Sequence, residues 1–223
     1  MDHLQNELKK EFQIERLILF SDAVFAIAIT LLSIDLKVPE ISKKLITDGL
    51  LVNSLLNLIP KFIAFLLSYF IIGLFWMIHH RTFAFVINYN RKLLVLNLVF
   101  LLSVVLMPFS TSFYSEYVDT LLKTPVIVYV FNICFLGISN IFIWRYVSNP
   151  KNHLSEGLHP VLARYYMIRS VTMPAIFLVM LLIYLFINPA FALWIIPLVP
   201  LIIHLVTRKH RKMIKNLPPV HHH

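Results

Sequence analysis

A carboxylate and a hydroxyl lie near the start of a long apolar stretch of this sequence. Ser21 and Asp22 follow the segment that begins at Arg16 and ends at Phe20, and mostly apolar residues then continue to Leu36. An ionisable side chain inside a membrane-spanning helix is energetically costly, and it is found chiefly where it lines an ion path or holds neighbouring helices together. Asp22 therefore indicates either the movement of ions or protons, or hydrogen bonding between helices.

The next two apolar stretches supply polar partners at the same predicted depth as Asp22. Trp76 and His79 are three residues apart near the end of the second stretch, on one face of a helix. Asn97 lies about one turn into the third stretch. An indole, an imidazole and an amide can satisfy the hydrogen bonds of a carboxylate or a hydroxyl away from water. The alternative is that Trp76 is an interfacial aromatic residue and that His79 and His80 face water or lipid headgroups.

Metal-binding and enzymatic chemistry are not favoured by the sequence. His79 and His80 are adjacent, so on a helix they point about 100° apart, and no ligand pattern of fixed spacing accompanies them. The four glycines form no phosphate-binding loop. We therefore expect no metal site, no cofactor and no enzymatic activity.

Long apolar helices must position these polar residues. The chain has 223 residues, of which 59% are hydrophobic and 14% are charged, and these fractions are unusual for a soluble domain. A membrane-spanning helix needs about 20 mostly apolar residues, which predicts an all-α, integral membrane six-helix bundle. The predicted spans are residues 17–36, 62–80, 93–113, 126–146, 168–187 and 190–207. They form a single domain, residues 1–216, and we interpret residues 217–223 as a tail that includes the remnant of a purification tag.

The connection between the first two spans, residues 40–60, has two interpretations. It mixes charged residues with leucines at a spacing typical of a helix. The segment fits either a helix lying at the membrane interface or an early extension of the second span, and the sequence leaves both open.

The distribution of Lys and Arg predicts how the chain crosses the membrane. Of the 20 such residues, five lie on the side that holds the first, third and fifth connections, namely Lys37, Lys43, Lys44, Lys61 and Lys123. The others lie on the side of the two termini, so the positive-inside rule places both termini in the cytoplasm. The net charge of +9 is then explained by topology and by anionic lipid, and we expect no nucleic-acid partner.

The first span has two distinct faces when it is drawn as a helix at 100° per residue. One stripe collects six residues with a shared direction. These are Phe20, Ala23, Ile27, Thr30, Leu31 and Ile34. Ser21 and Asp22 lie on the other side. If several copies of the helix surround an axis, the stripe lines that axis and Asp22 points back into the bundle.

Four stretches of the chain carry a resemblance to a known family. These are Arg16-x-x-x-Phe20-Ser21-Asp22, the run Ala23-Val24-Phe25-Ala26-Ile27-Ala28-Ile29-Thr30-Leu31, Trp76-x-x-His79-His80 and Pro108-Phe109. With this motif at the start of the first span, the sequence resembles the endosomal and lysosomal potassium channel family, transmembrane protein 175, in its bacterial single-repeat form. The similarity covers most of the chain.

The resemblance implies a potassium-selective channel. In such a channel four subunits assemble around a central pore lined by the first helix, and no loop of backbone carbonyls forms a filter. Carried over by position, Ile27 forms the hydrophobic constriction and Thr30 the neighbouring threonine ring, while Leu31 and Ile34 continue the lining outward. The implied partners are K⁺ and related monovalent cations, the lipid bilayer and further copies of the chain, and the implied location is a bacterial plasma membrane.

The resemblance also implies a supporting role for the charged motif. The motif residues would organise the cytoplasmic end of the first helix through contacts with Trp76 and His79. They are Arg16, Phe20, Ser21 and Asp22. Asp35, near the outer end of the first span, has two interpretations: a ring of carboxylates that concentrates cations at the mouth, or an interfacial residue paired with Lys37 or Lys43.

Two other classes of function remain open at this point. In a proton-coupled secondary transporter, Asp22 and His79 would form a proton relay. In a non-conducting membrane scaffold, the same polar residues would only hold the helices together.

Overall fold

The structure, a computed structural model, describes residues that form helices and the connections between them. These are residues 2–39, 46–120, 122–156, 158–188, 191 and 198–215. Within them the α-helices are α1 (Asp2–Leu31), α2 (Asp48–Asn57), α3 (Ile59–Phe83), α4 (Arg91–Val105), α5 (Met107–Glu116), α6 (Lys123–Val147), α7 (Pro160–Phe186) and α8 (Val199–Lys215). The predicted all-α class is confirmed.

Five segments among the described residues are long and apolar enough to cross a membrane. They are Lys10–Ile34, Ile59–Phe83, Arg91–Glu116, Lys123–Val147 and Pro160–Phe186. Each overlaps one of the first five predicted spans. The predicted sixth span, residues 190–207, lies partly outside the described residues, and the described helix α8 continues beyond it to Lys215. The six-span bundle therefore stays a prediction.

The buried face of α1 is a stripe at helical spacing. Ser21, Phe25, Ala28 and Leu32 recur every three or four residues, and all four are buried. The helix packs against α3 and α4, as expected for a helix with one face turned to the core. The 3₁₀ helix Leu32–Asp35 then continues the same direction with a tighter turn.

The third span is divided into two helices at Leu106. Pro108 lies in the first turn of α5, where its missing N–H is tolerated. In the interior of one continuous helix, the ring of Pro108 would clash with the carbonyl four residues earlier, and this clash favours a break in the helix. The amide of Leu106 donates to Leu102 O at 3.1 Å and the amide of Ser110 donates to Leu106 O at 3.0 Å, so helical hydrogen bonds are present on both sides of Pro108.

Residues 46–60 contain a separate short helix directly before the second span. The Thr47 side chain caps α2 by accepting a hydrogen bond from the amide of Leu50 at 3.3 Å. The helix ends at Asn57, and Leu58 alone separates it from α3. The helix α3 also begins at Ile59, before the predicted start of the second span at residue 62, so an early extension of this span stays a prediction as well. Residues 40–45 lie outside the described residues, and a position at the membrane interface stays a prediction.

The closest packing between α6 and α7 involves a glycine and a proline. A Cβ atom built on Gly137 would lie 2.9 Å from both Cγ and Cδ of Pro174. Two hydrogen bonds flank this contact: Asn140 Nδ2 donates to Ser170 Oγ at 3.1 Å, and Trp144 Nε1 donates to Ala163 O at 3.0 Å. Gly137 therefore allows the two helices to approach each other.

We expect Gly137→Ala to lower the melting temperature of the purified protein. Overpacking costs roughly 1–3 kcal/mol, while the gain in helix propensity recovers at most about 1 kcal/mol. Gly73→Ala is the matched control, because a Cβ at Gly73 meets nothing within 4 Å. A Gly137→Ala protein that melts at or above the Gly73→Ala protein contradicts the packing argument.

Candidate functional site

The predicted stripe on α1 is exposed in the described part of the subunit. Ile27 is 58% exposed, and Phe20, Leu31 and Ile34 are also exposed. The other two members, Ala23 and Thr30, are exposed as well. Among the five candidate spans, the first has the smallest share of its apolar segment buried inside the subunit. In the membrane this face must therefore meet lipid, other protein or an aqueous path.

The threonine in this stripe presents an oxygen to the outside of the subunit. The hydroxyl of Thr30 donates to Ile27 O at 2.8 Å, and the hydroxyl of Ser33 donates to Thr30 O at 2.8 Å. Because the Thr30 hydrogen points back into the helix, the lone pairs of Oγ1 stay available as acceptors. An oxygen in this state can contact a cation.

Asp22 bonds to the second span through Trp76. The indole Nε1–H donates to Asp22 Oδ1 at 2.9 Å. Asp22 is half-buried and the Trp76 side chain is 40% exposed, so the pair lies at the edge of the subunit. The hydrogen bond to a carboxylate fixes the rotation of α1 against α3.

Ser21 joins a separate, fully buried network that crosses three helices. The hydroxyl of Ser21 donates to Leu17 O at 2.9 Å, so its oxygen accepts from Asn97 Nδ2, also at 2.9 Å. Asn97 Oδ1 then faces His79 Nε2 at 2.9 Å. An acceptor at this position requires a proton on Nε2, which defines the tautomer of His79. The direction of each bond follows from the one before it.

The His79 ring is held between aromatic side chains. It stacks on Phe83 with centroids 4.3 Å apart and on Phe100 at 5.4 Å, and Phe25 lies 5.7 Å away. Its Nδ1 atom is buried and has no hydrogen-bond partner among the described residues. The imidazole is thus oriented by one hydrogen bond and by stacking on both sides.

The network differs in two respects from the predicted arrangement. Trp76 and His79, predicted on one face, have different surroundings: Trp76 bonds to Asp22 at the surface, while His79 bonds to Asn97 in the core. Arg16 lies over the Phe12 ring at 6.0 Å, and Phe20 is exposed. Neither of these motif residues is brought to Trp76 or His79 within the described part of the subunit.

Asp35 is the last residue of the 3₁₀ helix that follows α1. Its side chain lies outside the described residues, so both interpretations of Asp35 stay predictions.

Among the described residues, no group of three or more His, Cys, Asp or Glu side chains is arranged to hold a metal ion.

A second buried polar cluster escaped sequence reasoning. Thr111 Oγ1 lies 2.8 Å from Ser68 Oγ, and Ser68 Oγ lies 2.9 Å from the Tyr129 hydroxyl. All three residues are buried and join α3, α5 and α6. Single hydroxyl residues inside apolar helices carry no periodic signal, so only the helix arrangement reveals that they meet.

Relatives with known names match a large part of the chain. A potassium channel of Chamaesiphon minutus is 34% identical over 152 residues, which cover 67% of this chain and 73% of that protein. A potassium channel of Streptomyces collinus is 33% identical over 139 residues, 61% of this chain and 65% of the relative. The endosomal/lysosomal proton channel TMEM175 of Gallus gallus is 31% identical over 164 residues, but these cover only 30% of its length and 68% of this chain.

A solved structure and a family model agree with these relatives. The crystal structure of a lysosomal potassium-selective channel TMEM175 homologue from Chamaesiphon minutus matches with a TM-score of 0.72 and 27% identity, covering 87% of this chain and 98% of that one. The model of the family described as endosomal/lysosomal potassium channel TMEM175 matches residues 16–108. The protein is therefore of the ion-channel class and not an enzyme. The chain belongs to the TMEM175 family, so the resemblance seen in the sequence is confirmed.

Proposed function

We propose that the protein is a potassium-selective cation channel of a bacterial plasma membrane. Four copies surround a central pore, and α1 of each copy lines it. The observation that carries this proposal is the stripe of α1, in which Ile27 and Thr30 lie on one face and are exposed among the residues that the structure describes. The names of the bacterial relatives support the choice of K⁺.

The buried face of α1 supports this assignment of the pore. Ser21 and Asp22 bond to α4 and α3 respectively, so the rotation of α1 is set by two independent networks. The stripe that contains Ile27 then points away from its own subunit in a fixed direction. A helix held in this way can present the same ring of side chains from each of four copies.

Ile27 forms the constriction in this proposal. A ring of its side chains narrows the path and offers no oxygen ligands, so the closed state is a dewetted barrier. Thr30 lies about 4.5 Å further along the helix, where its hydroxyl oxygens replace part of the water shell of the ion. Leu31 and Ile34 continue the lining towards the outer mouth, where Asp35 raises the local concentration of cations. Opening requires only a small rotation or dilation of α1.

The topology completes the proposed assembly. Six spans, the last of them in residues 190–207, form one channel domain over residues 1–216. Both termini face the cytoplasm, because the basic residues of α8 and of the even-numbered connections lie on that side.

Proton conduction is the second candidate function. The name of the Gallus gallus relative favours it, since that protein is called a proton channel. A direct relay between Asp22 and His79 is less favoured, because Asp22 bonds to Trp76 while His79 bonds to Asn97. Protons in this alternative would pass along the α1 stripe.

Ion flux into liposomes tests both candidates. Purified protein in vesicles with an outward K⁺ gradient should drive cation-dependent flux that protein-free vesicles lack, and replacing K⁺ with Na⁺ should reduce it. Single-channel currents in planar bilayers should accompany this flux. Saturable, proton-linked flux without such currents would identify a carrier. No flux from monodisperse protein would leave only the scaffold function.

A further inference from the structure

A small cavity lies between α3, α6 and α7, apart from the proposed pore and its network. Its volume is about 60 Å³. A single water occupies roughly 10–15 Å³ on the same measure, so the cavity accommodates a group of about four to six heavy atoms. A phosphate group has this size.

The charged groups that line the cavity are both cationic. Arg81 lies in the last turn of α3 and Arg169 in the first half of α7, and no carboxylate is part of the lining. Neither arginine forms an ion pair with another described residue. Arg81 packs its guanidinium over the Tyr166 ring, 5.6 Å from the centroid. The positive charge of the cavity is therefore not neutralised by the residues that the structure describes.

The neutral polar groups of the lining leave hydrogen-bond donors available. The hydroxyl oxygen of Ser170 accepts from Asn140 Nδ2, which leaves its hydrogen free to donate. Tyr166 and Thr82 also line the cavity, and the Thr82 hydroxyl is already used, because it donates to Ile78 O at 3.0 Å. The indole N–H of Trp144 is already used, because it donates to Ala163 O. Guanidinium and hydroxyl donors without a charged acceptor suit an oxyanion.

The walls of the cavity are tied together by hydrogen bonds. The Trp144 bond joins α6 to the first turn of α7. The amide of Ile87, just after α3, donates to Leu154 O at 2.9 Å, which joins the connection after α3 to the connection after α6. The two arginines are thus held at one level, at the end of α3 that the charge distribution predicts to be cytoplasmic.

We propose that Arg81 and Arg169 bind a phosphate group in this cavity. The planar guanidinium forks match phosphate oxygens with paired hydrogen bonds, and the hydroxyl of Ser170 completes the donor set. The predicted topology places the cavity near the cytoplasmic lipid headgroups, so a phospholipid is one source of the phosphate and free cytoplasmic phosphate is the other. The proposal is independent of which ion the channel conducts.

Native mass spectrometry of the full-length detergent-purified channel tests this site. Phosphatidylglycerol is titrated in one arm and inorganic phosphate in the other, against the wild-type protein, Arg81→Gln, Arg169→Gln and the double variant. We expect retained ligand to fall at least about tenfold in the double variant, as the charge-assisted bonds are lost. Arg145→Gln is the matched control, because Arg145 is an exposed arginine at the end of α6 outside the lining.

The two arms identify the source of the phosphate. Arginine-dependent retention of phosphatidylglycerol supports a lipid site, and arginine-dependent binding of inorganic phosphate alone supports a soluble anion at the same residues. Equal binding in the wild-type and double-variant proteins, or an equal loss in Arg145→Gln, overturns the proposal. If Arg169→Gln aggregates, Arg169→Lys replaces it. This variant keeps the positive charge but lacks the planar guanidinium and its paired hydrogen bonds. We therefore expect it to retain less ligand than the wild-type protein and more than the double variant.

Discussion

The Ile27→Asn variant should pass K⁺ faster than the wild-type protein. If a ring of Ile27 side chains forms a dewetted barrier, asparagine amides at the same level will bind water and lower that barrier. A reduction of only about 1.4 kcal/mol corresponds to a tenfold higher rate. The measurement is conductance in planar bilayers, together with the potassium-to-sodium permeability ratio.

Ile63→Asn is the control for this experiment. Ile63 lies on α3 and is 59% exposed, almost the same as Ile27 at 58%. The two variants therefore place the same polar group on an equally exposed position of two different spans. Unchanged conductance and selectivity in Ile27→Asn, or an equal rise in Ile63→Asn, would remove Ile27 from the proposed gate.

The two faces of α1 show what periodicity alone can predict. Ser21, Phe25 and Ala28 are buried, while Ile27 and Thr30 are exposed, and the drawing of the helix at 100° per residue separates Ser21 from the Ile27 stripe. This works because side-chain direction along a regular helix depends only on position. Periodicity does not say whether the exposed face meets lipid or another copy of the chain, and here the family supplies the interpretation.

The polar network shows where sequence reasoning stops. The sequence predicts a carboxylate or a hydroxyl at the same depth as an indole, an imidazole and an amide, but it does not say which of these groups bond to each other. The structure pairs Asp22 with Trp76 and brings His79 to Asn97. Which side chains meet depends on the relative rotation of three helices, and spacing within each helix leaves this rotation undetermined.

Two features of the backbone were also only partly predictable. A proline such as Pro108 favours a kink in its helix, but the division of the third span into α4 and α5 depends on how the chain turns at Leu106. The short helix α2 ends one residue before α3. Such breaks result from competition between local backbone preferences and packing, and they move by a residue or more without changing the apolar pattern.

Replacing Asn97 with leucine should destabilise the protein strongly. Asn97 is fully buried and bonds both to Ser21 and to His79. Ser21 keeps its bond to Leu17 O, but His79 Nε2 loses its partner, and Nδ1 has none in the described structure. A buried polar group left without a partner costs roughly 1–3 kcal/mol. We expect a loss of this size, measured by denaturant titration in mixed micelles.

Asn132→Leu provides a control of the same chemistry. Asn132 is also buried, but it makes a single bond of 3.1 Å to Ser110 and its Oδ1 atom has no partner among the described residues. Leucine there removes an unsatisfied oxygen together with one weak bond, so its effect on stability should be small. If Asn97→Leu is as stable as Asn132→Leu, the Ser21–Asn97–His79 network does not hold α1 in place. The direction of the Ile27 stripe would then depend on the hydrogen bond between Asp22 and Trp76.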